Sequence, residues 1–443
     1  MNTFCTDKEV FELFLKYRKI CTDTRQIVPG SIFFALQGEN FDANAFAADA
    51  LAKGCALAVV DKSEYAGPDC LLVKDTLETL RNIALIYRKS LHIPVIGITG
   101  TNGKTTTKEL VRSVLSVKFK VYATQGNLNN HIGVPLSLLS IPEDSQIAVI
   151  EMGANHPGEI ADLCQLSLPD YGIVTNVGKA HLEGFGSFEN IVKTKTALYE
   201  AVRQNHGKVF VSEKSRILMN ASGDMERFCY GESSGIFLQI TPMELQNTFF
   251  SCTLHAAKGP EKTEIHSHLV GLYNIENVSA AACAGRYFGL SDAEIKQGIE
   301  NYVPTNLRSQ SIQAGTNTII ADTYNANPTS MEASLANFSA LPAQGKKIAV
   351  LGDMLELGDA SAAEHQYVVG LLKIHRIEKA FLVGKCFSKT DCPPNFARFD
   401  SAQKLVEFLK LNPLIHSHIL VKGSRGIHLE QVVDFLQAES RQA

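Results

Sequence analysis

At 443 residues the chain is too long for one ordinary core and is expected to fold as about two to four domains. Hydrophobic content of 45% with 20% charged residues is that of a globular protein, and a net charge of −4 leaves no footprint for nucleic acid or an anionic membrane surface. Ten scattered cysteines without a Cys-x-x-Cys pair argue against a zinc or disulfide framework and for reduced thiols. The opening Met1–Lys8 lacks a basic region followed by an apolar core, so no signal peptide is expected. No apolar run approaches the roughly 20 residues of a membrane helix. A cytoplasmic protein without membrane insertion is the expectation.

From residue 1 to about 88, short apolar runs (32–36, 56–60, 71–73) alternate with helical patterns, which predicts a small α/β domain. His92-Ile-Pro94 reads as a linker. From 95, the runs 95–99, 147–151, 172–175 and 208–211 alternate with helices, as in a mostly parallel sheet. A more polar stretch, about 232–270, predicts a small antiparallel patch on that sheet's edge. After Arg308 the rhythm restarts: strands at 318–322, 347–351, 380–383 and 419–421 are separated by helices at 329–340, 361–374, 401–410 and 428–437. That is a second sheet of Rossmann type without a Gly-x-Gly-x-x-Gly fingerprint. The fold class is α/β, in three domains at 1–90, 91–308 and 309–443.

Val95-Ile-Gly-Ile-Thr-Gly-Thr-Asn-Gly-Lys-Thr-Thr106 carries the most chemistry. Strand, glycine turn, lysine, hydroxyl and helix follow in the order that holds a nucleotide triphosphate. Gly100 and Gly103 let backbone N–H groups approach phosphate; Lys104 adds a charge near the β/γ phosphates, and the Thr105 hydroxyl can bind Mg²⁺. General Walker A spacing would put glycine at 98, where Ile98 stands. Glu151 ends the apolar run 147–151, the usual position of a second magnesium contact beside a P-loop. His181 follows another strand and either ligates a metal or packs in its loop. By spacing alone, Lys193 and Lys195 are solvated charges. Gly126–Pro135 is rich in amides that either build turns or bind a polar ligand. Asn274 either caps the helix that follows it or reads an adenine edge. The loops at Asp322–Pro328, Leu351–Gly358 and Val421–Gly426 form one polar rim, where Lys422 and Arg425 can hold a carboxylate or phosphate.

In order along nearly the whole chain, these strings resemble the Mur ligases of peptidoglycan synthesis, and most closely the MurF branch of that family. The shared strings are Asp23-Thr-Arg25 with Pro29-Gly30, Thr99–Thr106, Gly126–Asn130, Glu151-Met-Gly153, His181–Gly186 with Lys195, Tyr324–Pro328, Leu351–Gly358 and Lys422–Arg425. In departure, Tyr273 stands where histidine is common, Thr323 replaces a frequent serine, and Asn306-Leu-Arg308 replaces glycine-arginine at the hinge to the last domain.

The resemblance implies an ATP-dependent, ADP-forming amide ligase that adds D-alanyl-D-alanine to UDP-N-acetylmuramoyl-tripeptide through an acyl phosphate. It implies ATP contacts from Gly100, Thr101, Asn102, Gly103, Lys104, Thr105, Thr106, Asn274, Arg308 and Asn325. Two Mg²⁺ ions are implied, with Thr105, Glu151, His181 and a carbamylated Lys195 as ligands, and Lys104, His181 and Lys195 as catalytic groups. Thr24 and Arg25 would meet the UDP-sugar in the first domain; Asn327, Asp353, Lys422, Ser424 and Arg425 would form the dipeptide rim of the third. A monomer acting on small molecules is expected. Against a relative that adds one amino acid stands Tyr324-Asn-Ala-Asn-Pro328; against a guanine-nucleotide switch stands the lack of any Asn-Lys-x-Asp string.

Overall fold

The apolar run Val95–Thr99 is buried at every residue, as a strand covered on both faces requires. It lies inside a nine-stranded sheet. In spatial order the strands are Lys262–Val270, Phe249–His255, Leu238–Pro242, Arg227–Gly231, Lys208–Ser212, Tyr171–Val174, Val95–Thr99, Ile147–Glu151 and Val121–Ala123. The first three pair antiparallel, which is the edge patch expected at 232–270; the other pairs are parallel. The computed structural model describes residues 4–38, 41–244, 248–305, 307–342 and 345–439. Asn306, one of the departures noted at the hinge, lies outside the described residues.

A smaller parallel sheet precedes it, ordered Ile20–Cys21, Ile32–Phe34, Leu57–Val60 and Cys70–Leu72. A six-stranded sheet follows, ordered Gln310–Ala314, Asn317–Asp322, Ser417–Lys422, Lys346–Gly352, Lys379–Val383 and Phe396–Phe399. Only its first pair is antiparallel. Four of these strands match the sequence reading; Gln310–Ala314 and Phe396–Phe399 are additional. Both additional strands lie at the sheet's edges, where one neighbour suffices and the apolar signal is weak. Among the described residues no helix is long and apolar enough to cross a membrane.

The expected linker at 92–94 is not a loose tether. Helix Thr76–Ser90 starts at an Asp75 cap and buries Leu80, Ile83, Ala84 and Tyr87. These pack into one apolar cluster with Val95, Val134, Leu138 and Leu163 of the large sheet's layer. Arg88, 6% exposed, donates to Ser167 O (2.8 Å), Leu91 O (3.0 Å), Leu168 O (3.0 Å) and Asp170 Oδ2 (3.1 Å). The Tyr87 hydroxyl donates to Ile141 O at 2.7 Å. The first two sheets therefore share a core. Loss of Arg88 would leave the carbonyls of Ser167, Leu91 and Leu168 without this donor, and an unsatisfied buried acceptor costs about 1–3 kcal/mol. Arg88→Met should cost about 3 kcal/mol in urea unfolding; a loss below about 1 kcal/mol would show that packing alone joins the two sheets.

Candidate active site

Register builds the site. Strand Val95–Thr99 pairs in parallel with Ile147–Glu151, Ile98 opposite Glu151, and on its other side with Tyr171–Val174. The glycine turn thus emerges between Glu151 and the Thr175-Asn176 corner. Gly100 has φ +142°, and a Cβ there would lie 2.0 Å from Thr175 Oγ1; at Gly103, with φ +79°, it would meet Asn277 Oδ1 at 2.4 Å. Both positions demand glycine. Gly103 caps helix Lys104–Leu115 without a side-chain hydrogen bond, which leaves first-turn amides for an anion.

Lys104 Nζ folds back onto the carbonyls of Gly100 (2.9 Å) and Thr101 (3.0 Å). Burial pulls this ammonium down to about 8; Glu151 opposes the fall and Arg308 adds to it. Glu151 is 1% exposed, and its Oε1 accepts from Thr105 Oγ1 (3.1 Å) and Asn129 Nδ2 (2.8 Å). Its Oε2 has no hydrogen-bond partner. A buried carboxylate oxygen left open beside a hydroxyl is a donor set suited to a hard cation such as Mg²⁺.

His181, at φ +51°, has no aligned hydrogen bond at Nδ1, and that atom lies against the Glu356 carboxylate of the third sheet. Lys195 is not a solvated charge: it sits inside helix Phe188–Gln204 at 2% exposure. Its Nζ donates to Ala154 O at 3.3 Å and lies over the Phe185 ring at 5.4 Å. Burial, helped by Lys104, pulls it down to about 7.

A cavity of about 920 Å³ joins these elements to the third sheet. Its lining includes Thr101 through Thr106, Glu151, His181, Asn274, Arg308, Asn325 and Lys422. Gly100 and Lys195 lie behind that lining, within the loop and helix just described. Thr24 and Arg25 belong to the first sheet's layer and do not line this cavity; Arg25 is exposed and paired with Asp23 at 2.7 Å.

Five of the expected site residues have polar atoms engaged within the fold. Asp353 is 3% exposed and accepts Cys386 N–H (2.8 Å) and Phe387 N–H (2.9 Å), so its carboxylate secures a loop. Ser424 Oγ, also buried, accepts Leu355 N–H at 3.0 Å. Asn327 Oδ1 accepts Ser330 N–H (2.9 Å) to cap helix Pro328–Ala340, and its Nδ2 donates to Asn102 Oδ1 (2.8 Å), stitching the third sheet to the P-loop. Lys422 is 1% exposed and bound to Asp322 Oδ2 at 2.5 Å. Asn274 makes no side-chain cap: its amide donates to Val270 O (2.8 Å) and accepts from Asn277 Nδ2 (2.8 Å). Arg308 and Arg425 flank the Tyr324 ring at 3.7 and 5.3 Å, and Arg425 is exposed.

Asp353, His365 and Cys386 form a metal-like cluster, but its donor atoms are largely taken. His365 Nε2 accepts Met354 N–H (3.0 Å) and Nδ1 donates to Ser361 O (2.7 Å), leaving a structural lock. The residues that sequence reasoning passed over are Asn129, Asn277 and Asn176. Asn277 Oδ1 accepts from Thr107 Oγ1 at 3.0 Å, and Asn176 pairs with the Asn102 backbone through both ends of its amide (2.9 and 3.0 Å). Asn129 lies in the amide-rich string 126–135, and Asn277 in the helix that follows Asn274; what was hidden was which amide points inward.

Comparison with known proteins agrees in order and extent. Residues 98–285 match the Mur ligase middle domain, and 307–425 match the Mur ligase, glutamate ligase domain. The UDP-N-acetylmuramoyl-tripeptide--D-alanyl-D-alanine ligase of Bacillus subtilis (strain 168) is 34% identical, over 94% of this chain and 92% of that protein. The protein of the same name from Escherichia coli (strain K12) is 34% identical over 94% and 93%. A crystal structure of MurF from Acinetobacter baumannii superposes with a TM-score of 0.84 at 31% identity, covering 95% of this chain and 94% of that one. The MurF ligase from Thermotoga maritima in complex with ADP gives 0.84 at 25% identity, covering 97% and 99%. On these grounds the chain belongs to the Mur ligase family, in its MurF branch.

Proposed function

We propose that this chain joins D-alanyl-D-alanine to UDP-N-acetylmuramoyl-tripeptide at the expense of ATP, as the names of its full-length relatives state for them. The observation that carries the reading is one cavity in which an uncapped P-loop helix, Lys104 and Glu151 face the loops of the third sheet. The tripeptide's terminal carboxylate attacks the γ-phosphorus, the bond to the β-phosphate oxygen breaks, and ADP leaves an acyl phosphate. The dipeptide amine then attacks the activated carbonyl, phosphate departs with the bonding pair of the C–O bond, and the nitrogen releases its extra proton. Loop amides and Lys104 hold the phosphates in line and offset their charge, so positioning and electrostatics supply most of the rate. ATP as co-substrate assigns the reaction to the cytoplasm. The chain acts as a monomer on small-molecule substrates.

Thr105 and Glu151 would hold one Mg²⁺, and His181 with a carbamylated Lys195 a second. When bound, the ions neutralise charge on the phosphoryl oxygens. Lys195 suits carbamylation because burial leaves much of its amine unprotonated near neutral pH, the form that adds CO₂. The division of labour follows the three sheets: residues 1–90 with Thr24 and Arg25 take the UDP-sugar, 91–308 take ATP, and 309–443 take the dipeptide. Of the five rim residues, Arg425 is the exposed cation available for the dipeptide carboxylate.

Phosphate release should be stimulated by D-Ala-D-Ala and not by single amino acids; the reverse preference would assign the chain to an amino-acid-adding relative. Lys104→Ala should lower ADP formation by about 10²-fold or more with the fold intact by circular dichroism, and near-normal turnover would remove the P-loop from the mechanism. Lys195→Ala should be nearly inactive and partly restored by short carboxylates such as formate. A wild-type rate for that variant at low bicarbonate would end the carbamate reading.

A further inference from the structure

Helix Lys104–Leu115 carries a second lysine one turn beyond Lys104. Lys108 is 0% exposed, and the reaction as derived above does not use it. Its Nζ donates to Thr124 O at 2.6 Å and pairs with Glu109 Oε1 at 2.9 Å. On its other side it stands 3.9 Å from Glu151 Oε2, the carboxylate oxygen that has no hydrogen bond. The Thr124 hydroxyl accepts Glu151 N–H at 3.0 Å, so the residue that anchors Lys108 also anchors the Glu151 backbone.

Burying an ammonium completely is costly unless its charge is answered. Lys108 is answered twice, by Glu109 toward the surface and by Glu151 toward the cavity. At 3.9 Å the ammonium attracts Oε2 yet is too distant to occupy its lone pair. Glu109, itself held by Arg112 Nε at 2.9 Å, draws Lys108 the other way and keeps that gap open. Thr105 and Asn129 meanwhile claim Oε1. The carboxylate is thus fixed through one oxygen, balanced by a charge, and free at the other oxygen.

We propose that Lys108 is a positioning residue for the cation: shared between Thr124, Glu109 and Glu151, it holds Glu151 Oε2 as an open oxygen donor beside Thr105. The inference rests on Glu151 being a metal ligand. The probe is Mn²⁺, whose free concentration is read from its electron paramagnetic resonance signal, with full-length enzyme and ADP. Lys108→Met keeps the aliphatic stem and removes the charge. It should weaken Mn²⁺ binding about tenfold, and raise the KM for ATP more than the KM for the UDP-linked substrate.

Glu109→Gln leaves Lys108 in place but releases it to close on Oε2. It should weaken Mn²⁺ binding several-fold without lowering the melting temperature. A lysine that serves the fold alone gives the opposite pattern: Lys108→Met melts lower, while both variants bind Mn²⁺ as wild type does. That result overturns the proposal. Should Lys108→Met fail to fold, Glu109→Gln decides by itself. Glu151→Gln separates the two readings. If it still binds Mn²⁺, the metal site falls and the role of Lys108 with it; if it loses Mn²⁺ while the other two variants bind normally, only the role of Lys108 falls.

Discussion

The parallel pairing of Ile98 with Glu151 is the contact on which the site depends. Side chains alternate between the two faces of a strand, so a slip of one residue would carry Glu151 to the opposite face and away from Thr105. What prevents the slip is not chemistry at the site. Both strands are buried along their full length, and Ile96, Ile98, Val149 and Ile147 pack on one face while Val95, Ala148 and Ile150 pack on the other. The apolar layers on both sides set the register, and the Glu151 carboxylate inherits its place from them.

Around that fixed pair, asparagine amides do most of the joining. A primary amide offers a donor and an acceptor on one short, uncharged group, so it can tie a loop to a helix without adding charge beside phosphates. Asn176 and Asn102 join two strand ends, Asn277 joins the P-loop helix to helix Ile275–Tyr287, and Asn102 with Asn327 joins the second sheet to the third. Net charge in the cavity is left to a few lysines, arginines and carboxylates, where each one matters.

The parts of this arrangement that were legible in the sequence are those written in local order. A β-branched run, two obligatory glycines, a lysine and a hydroxyl announce an anion-binding turn, and an apolar strand ending in glutamate announces its partner. The inner strands of the central and third sheets were readable because they are mostly apolar; Arg227–Gly231, with no residue buried before Tyr230, was not. The partners of the rim residues were hidden for a specific reason. Asp353 and Ser424 end strands facing the ligand side, as binding groups do, yet backbone amides at 386–387 and 355 already claim them. Such partners are distant in sequence and carry no residue signature, because any amino acid but proline supplies an N–H. Lys195 was hidden in the same way: helical spacing cannot say that its helix face is covered.

The core shared by the first two sheets bears on modularity. Leu80, Ile83 and Tyr87 from one, and Val134, Leu138 and Leu163 from the other, are the two halves of a single apolar layer. A segment that looks like a boundary in the sequence is therefore a poor place to cut. Cut there, the large sheet would bare an apolar face, and a grafted replacement for the small one would need to match that face side chain by side chain.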